Sequence, residues 1–104
     1  MRAAVARRYN GPVDASLPGW DLVQRGLDDL ARGVESADAL LVSIGAPRLR
    51  ALGIAIEAAI PHPEHRLYRH LAADDPDSAH ARYNALIGRL VSFERAAECV
   101  NPRT

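Results

Sequence analysis

The spacing of apolar residues predicts an amphipathic helix near the start of the chain. The apolar positions recur at intervals of three and four, as on one buried helix face. They are Trp20, Val23, Leu27, Leu30, Ala31 and Val34. Pro18 suits the first turn of a helix, and Gly33 can adopt the left-handed conformation that ends one. The pattern therefore predicts a helix from about Pro18 to Arg32.

Turn residues divide the next stretch into short elements. Ser36 is suited to cap a short helix that carries Leu40, Leu41 and Ile44. Gly45 ends this helix, and a second short helical turn then runs from Pro47 to Gly53. The sequence thus predicts two short helices joined by a tight turn.

Residues 54–60 give an ambiguous signal. Ile54, Ile56, Ala58 and Ile60 alternate as in a strand, but a single strand cannot pair its own backbone groups, and no other segment offers a second strand. We therefore expect a helix or an irregular segment here. The Pro63-Glu64 pair then begins a further helix that runs to about residue 73.

The last helix has the clearest beginning and the longest apolar seam. Asp75 is a candidate cap and Pro76 fits the first helical position. The seam residues are spaced alternately by four and three over three heptads. They are Ala79, Tyr83, Leu86, Leu90, Phe93, Ala97 and Val100. We predict a helix from about Pro76 to Cys99 that forms the centre of packing, with its seam against the first and fourth helices.

Together these elements define an all-α fold, a compact bundle of four to five helices with a long C-terminal helix. The chain has 104 residues, of which 48% are hydrophobic and 25% charged, as is typical of folded globular domains. We expect residues 16–104 to form a single helical domain. Residues 1–15 lack a clear period and are interpreted as an N-terminal arm, loose or docked.

Charge and cysteine content narrow the classes of function. All 13 basic residues are arginines, which suggests a GC-rich bacterial genome, and 13 acidic residues cancel their charge. With no basic face evident, nucleic-acid binding is not expected. One cysteine cannot form an internal disulfide, and neither a signal peptide nor an apolar span of about 20 residues is evident. A cytoplasmic protein without a membrane partner is expected.

Arg48 and Arg50 suggest one alternative function. They lie at the start of the second helix of a helix-turn-helix pattern, with Gly45 in the turn. With the arginines of the N-terminal arm, they are the candidate contacts of a nucleic-acid-associated regulator. However, this helix is too short to read a DNA groove, so core packing of Leu49, Leu52 and Ile54 is the favoured interpretation.

Glu94 and the histidines suggest a second alternative, a small enzyme. Glu94 lies beside the apolar seam, where burial would raise its pKa and suit it to proton transfer with a nearby histidine. A structural ion pair with Arg25, Arg66 or Arg69 is the favoured interpretation.

Metal and thiol chemistry find less support in the sequence. The spacing of His62, His65, His70 and His80 does not fit a metal site. Cys99 is expected to be packed. No metal and no cofactor are predicted.

The predicted function rests on the side of the last helix opposite the seam. Its residues are all small and fall within about 80° at ~100° per residue. They are Ala81, Ala85, Gly88, Ser92, Ala96 and Cys99. We predict that the first five form a close helix contact between two copies of the chain. The chain is then a non-enzymatic, self-associating interaction module, most simply a homodimer, and a further candidate role is that of the small partner of a larger bacterial protein.

Overall fold

Five helices account for most of the described chain. The computed structural model describes residues 17–100, a range that contains no strand. The helices are α1 (Trp20–Ala31), α2 (Ala37–Ile44), α3 (Ala46–Ala51), α4 (Pro63–Asp74) and α5 (Ala79–Val100). The prediction of an all-α bundle with a long C-terminal helix is confirmed. The predicted N-terminal arm lies outside the described residues.

Helix α1 begins two residues later than its sequence suggests. Pro18 and Gly19 form a turn in which the Trp20 N–H donates to the carbonyl oxygen of Leu17 at 3.2 Å. Gly19 has a φ of +82°, a conformation that favours glycine. Gly33, with a φ of +74°, follows the end of α1, as predicted.

The most buried helix is α2 rather than the C-terminal helix that the apolar seam placed at the centre. Ser36 caps α2 as predicted, because its Oγ accepts a hydrogen bond from the Ala39 N–H at 3.1 Å. The next residues, 39–42, have no solvent-exposed surface. These four residues form an unbroken apolar run, which carries no amphipathic period, so the sequence pattern did not mark α2 as the centre of the fold.

A glycine allows α1 and α2 to pack closely. A Cβ atom on Gly26 would overlap the carbonyl oxygen of Asp38 and the Cγ2 atom of Val42. Because one of these atoms belongs to the backbone, a side-chain rearrangement cannot make the room. Gly26 therefore sets the distance between the two helices.

The ambiguous segment at residues 54–60 is irregular, and its backbone groups bond partly to side chains. The Ser43 hydroxyl donates to the Ala39 carbonyl oxygen at 2.9 Å and accepts from the Ile60 N–H at 3.0 Å. Arg50 Nε donates to the Ile56 carbonyl oxygen at 2.9 Å. A lone strand would leave its backbone groups without partners. In the irregular segment, these side chains bond to some of those groups instead.

Helix α5 begins at Ala79, three residues later than predicted. The Asp75 carboxylate accepts hydrogen bonds from the Asp77 N–H at 3.2 Å and from the Ser78 hydroxyl at 2.9 Å. It therefore closes a turn instead of capping the helix directly. The regular pattern starts with the Arg82 N–H donating to the Ser78 carbonyl oxygen at 2.9 Å.

The apolar seam of α5 packs against the rest of the bundle as its spacing predicted. Leu90, Phe93 and Ala97 are buried, and Phe93 stacks on Trp20 of α1 with ring centroids 5.9 Å apart. Helix α5 contacts α2 in addition to the predicted α1 and α4. Within residues 17–100, no helix combines the length and apolar character that crossing a bilayer requires.

Candidate functional site

The outer face of α5, defined here as Ala81, Ala85, Gly88, Ser92 and Ala96, lies uncovered in the described part of the chain. Its first four residues are exposed and the fifth is half-buried. A Cβ atom built on Gly88 would have no heavy atom within 4 Å. No helix within residues 17–100 therefore makes the close contact that was predicted for this face.

Two helical glycines of the molecule differ in what surrounds them. Gly26 faces a backbone oxygen so closely that a methyl group could not fit, whereas Gly88 faces open space. Glycine in a helix interior is less stable than alanine by roughly 1 kcal/mol. Close packing explains why position 26 is a glycine. No contact within residues 17–100 explains why position 88 is one.

A shallow depression and two charged groups mark one edge of the outer face. Pro18 and Gly19, at the beginning of α1, form the depression together with Ala85, Gly88, Arg89 and Ser92. Arg89 Nη2 lies 3.6 Å from Asp21 Oδ1. The small residues thus lie beside an acidic and a basic side chain, both more than half exposed.

A second polar cluster, formed by Arg48, Glu94 and Glu98, lies where α3 meets α5. Arg48 Nε and Nη2 donate to the two carboxylate oxygens of Glu98 at 2.8 and 2.9 Å. Arg48 Nη1 lies 3.5 Å from Glu94 Oε1. The predicted ion-pair partners of Glu94, namely Arg25, Arg66 and Arg69, are wrong, because α5 presents this carboxylate to α3.

Glu94 and Glu98 have opposite environments although they lie one turn apart. Glu94 is only 4% exposed, and burial raises its pKa, an effect that the charge of Arg48 partly offsets. Glu98 is half-buried, and the hydrogen bonds from Arg48 lower its pKa. Arg48 therefore stabilises the ionised form of Glu98 more than that of Glu94.

The arrangement around Glu94 does not provide the partner that an acid–base site requires. Among the described residues, the charged groups that act on this carboxylate are Arg48 and Glu98. The four histidines are exposed and lie on α4, at its N-cap and in the first turn of α5. The structure thus does not bring Glu94 and a histidine together.

Both arginines of the predicted helix-turn-helix bond within the protein. Arg48 is held by Glu98, and Arg50 binds the irregular segment through the Ile56 carbonyl oxygen. Their helix, α3, has only six residues. The expected core packing of Leu49, Leu52 and Ile54 is confirmed, since all three side chains are buried.

The described residues hold no candidate metal cluster, and their cysteine lies at the surface. From residue 17 to residue 100 there is no group of three or more histidine, cysteine, aspartate or glutamate side chains that could hold a metal ion. Cys99 is exposed instead of packed as expected, because it lies on the same side of α5 as Ala81.

Comparison with known proteins identifies no relative. No protein-family model matches the chain, and neither the curated proteins nor the solved structures contain a significant match.

Proposed function

We propose that this chain is a small non-enzymatic interaction module that associates with a second copy of itself through the outer face of α5. The observation that carries the proposal is the open space around Gly88 on an exposed face of small residues. A closely packed partner would give these small residues a role that the described chain does not.

Helix geometry supports a helical partner at this face. Packed helix axes lie about 8 to 10 Å apart, and the shorter distances require small side chains at the contact. Four exposed small residues follow one another along more than three turns of α5, from Ala81 to Ser92. A second helix could approach along this length without displacing a large side chain.

Charge at the edge of the face favours a second copy of the chain as that helix. Twofold symmetry brings each residue of an interface opposite the same surface of the partner, so the surface must complement itself. Asp21 and Arg89 supply both signs of charge beside Gly88. In a symmetric pair each can exchange its partner within the chain for the same group of the second copy, because both side chains are more than half exposed.

The nucleic-acid alternative has less support, because Arg48 and Arg50 already bond within the protein. We expect no detectable binding to random duplex DNA at physiological salt, since a net charge of zero gives little counterion release. A gel-shift titration tests this. Micromolar binding that falls steeply with salt and is lost in an Arg48→Ala, Arg50→Ala double variant would favour the regulator instead.

The self-association surface can be mapped directly by NMR. Backbone amide shifts of the labelled protein are compared between dilute and concentrated samples. The proposal predicts concentration-dependent changes centred on residues 81–96 of α5 and on residues 18–21. Changes confined to another surface would mean a different interface. The absence of any change up to millimolar concentration, in a protein that has the mass of a monomer in the same samples, would contradict self-association.

A further inference from the structure

The outward side of α4 carries basic side chains with no acidic residue between them. Leu67 and Leu71 are the buried positions of this helix, and at ~100° per residue Arg69 lies opposite them. His65, Arg66 and His70 fall on either side of Arg69. The acidic residues of α4 lie outside this arc; Asp74, for example, accepts a hydrogen bond from Arg82 of α5 at 2.9 Å.

One cleft gathers part of this basic surface around a single carboxylate. It is lined by Glu35, Arg66, Arg69 and His70. Glu35 belongs to the connection between α1 and α2, and its carboxylate accepts hydrogen bonds from Arg66 Nε at 2.9 Å and Nη2 at 2.8 Å. These bonds lower the pKa of Glu35, and His70 adds to the effect. The cleft therefore already binds one oxyanion, supplied by the protein itself.

Arg69 is the unused group in this cleft. Among the described residues it makes no ion pair or hydrogen bond, whereas Arg66 beside it is engaged with Glu35. One carboxylate thus shares the cleft with two guanidinium groups and an imidazole. The cleft has an excess of positive charge and of hydrogen-bond donors over what Glu35 can satisfy.

We propose that this cleft is a binding site for a phosphate group, in which Glu35 is a displaceable internal occupant. Arg66 and Arg69 bind the phosphate oxygens, and His70 can donate one ring N–H. A phosphate carries close to two negative charges and three acceptor oxygens, so it can use both guanidinium forks where one carboxylate uses a single fork. This site is on α4 and does not depend on the proposed function of α5.

The exposure of the ion pair makes the exchange feasible. The side chains of Arg66 and Glu35 are 45% and 42% exposed. Ion pairs in contact with solvent add little to stability, because water solvates both partners when they separate. Glu35 can therefore leave Arg66 without disturbing the packing of α2 and α4.

The test is an NMR titration of the full chain with inorganic phosphate, at constant ionic strength set with chloride. We expect saturable shifts at residues 35 and 66–70. Glu35→Gln should strengthen binding roughly fivefold, the effect of removing one unit charge at contact distance in water. Arg69→Gln should weaken binding by a similar factor, while Arg95→Gln, which removes an equal charge on α5, should leave it unchanged.

The source of the phosphate is resolved by repeating the titration with O-phosphoserine. Tighter binding of O-phosphoserine indicates a phosphate ester on a larger molecule, and equal or weaker binding indicates free phosphate; both outcomes support the site. The proposal is overturned if neither probe shifts the cleft residues, if Arg69→Gln and Arg95→Gln weaken binding equally, or if Glu35→Gln has no effect.

Discussion

Phe93 of α5 stacks on Trp20 of α1 with an angle of 28° between the ring planes. The phenylalanine is fully buried and the tryptophan is 8% exposed. This pair joins the beginning of the first helix to the last helix, elements that are separated by most of the described chain. Aromatic pairs at this distance add to the stability that burial provides.

Fluorescence and denaturation test this contact. Trp20 emission should be blue-shifted in the native protein and move to longer wavelength on unfolding. Phe93→Ala should lower the free energy of unfolding by about 3 to 5 kcal/mol, measured by chemical denaturation. The control Val34→Ala, at an exposed position, should change it by less than about 0.5 kcal/mol. A native emission maximum that is unchanged by denaturant would contradict the burial of Trp20.

Gly26 and Gly88 should respond in opposite directions to the same added methyl group. Gly26→Ala should destabilise the fold by roughly 1 to 3 kcal/mol, because the new Cβ overlaps the backbone of α2. Gly88→Ala should stabilise the dilute, monomeric chain by up to about 1 kcal/mol. Thermal denaturation of both variants measures the difference. A Gly26→Ala protein as stable as the native one would show that α1 and α2 are farther apart.

Ser43 should anchor the irregular segment to α2. Ser43→Ala removes the acceptor of the Ile60 N–H, and we expect a loss of about 1 kcal/mol. Hydrogen exchange at the Ile60 amide should also accelerate. Ser78→Ala, which removes a hydroxyl at an exposed turn, is the control and should leave that amide unchanged. Unaltered exchange at Ile60 in Ser43→Ala would contradict the anchoring role.

Periodic spacing made the amphipathic elements of this fold predictable from sequence. The stripe that begins at Trp20 and the seam through Phe93 each carry a repeating pattern, and both side chains are buried. The end of the stripe was wrong, because Ala31 and Val34 are exposed. Local chemistry was equally informative at the Ser36 cap. These features depend on neighbours within a few residues, which a sequence displays directly.

Contacts between distant segments could not be predicted in the same way. Arg48 and Glu98 are 50 positions apart, and nothing local to either residue specifies the other. The role of Gly26 could not be predicted either, because it depends on how closely α2 approaches α1. The predicted ion-pair partners of Glu94 were wrong for this reason. The position of Glu94 on α5 was inferred correctly, but the helix that faces it, α3, was not.

Glu94 should make stability fall as pH rises. Its pKa is raised in the folded protein, so the native state holds its proton more tightly than the unfolded chain does. Stability from this group is present below the ordinary value near 4.5 and is lost as pH rises through the folded pKa. Glu94→Gln should therefore gain stability relative to the native protein as pH rises above the ordinary value near 4.5, measured by denaturation.

Glu98 provides the opposite control for this pH dependence. Its pKa is lowered by Arg48, so its contribution is present above the ordinary value and is lost as pH falls through the folded pKa. Glu98→Gln should therefore lose stability relative to the native protein as pH rises. The stability of each variant relative to the native protein is followed as a function of pH. If the difference for Glu94→Gln changed in the same direction as that for Glu98→Gln, burial would not be the dominant effect on the pKa of Glu94.

The molar mass of the chain in solution, measured by light scattering over a range of concentrations, is the most direct test of self-association. Self-association through the outer face predicts a mass that rises with concentration toward twice 11.3 kDa. Gly88→Leu should remain folded and have the mass of a monomer, because leucine blocks close helix approach. Ala31→Leu, at an exposed position on α1, should behave as the native chain does. Self-association through the outer face would be contradicted by a native protein that stays at 11.3 kDa at every concentration. It would also be contradicted by a Gly88→Leu variant that associates as strongly as the native chain.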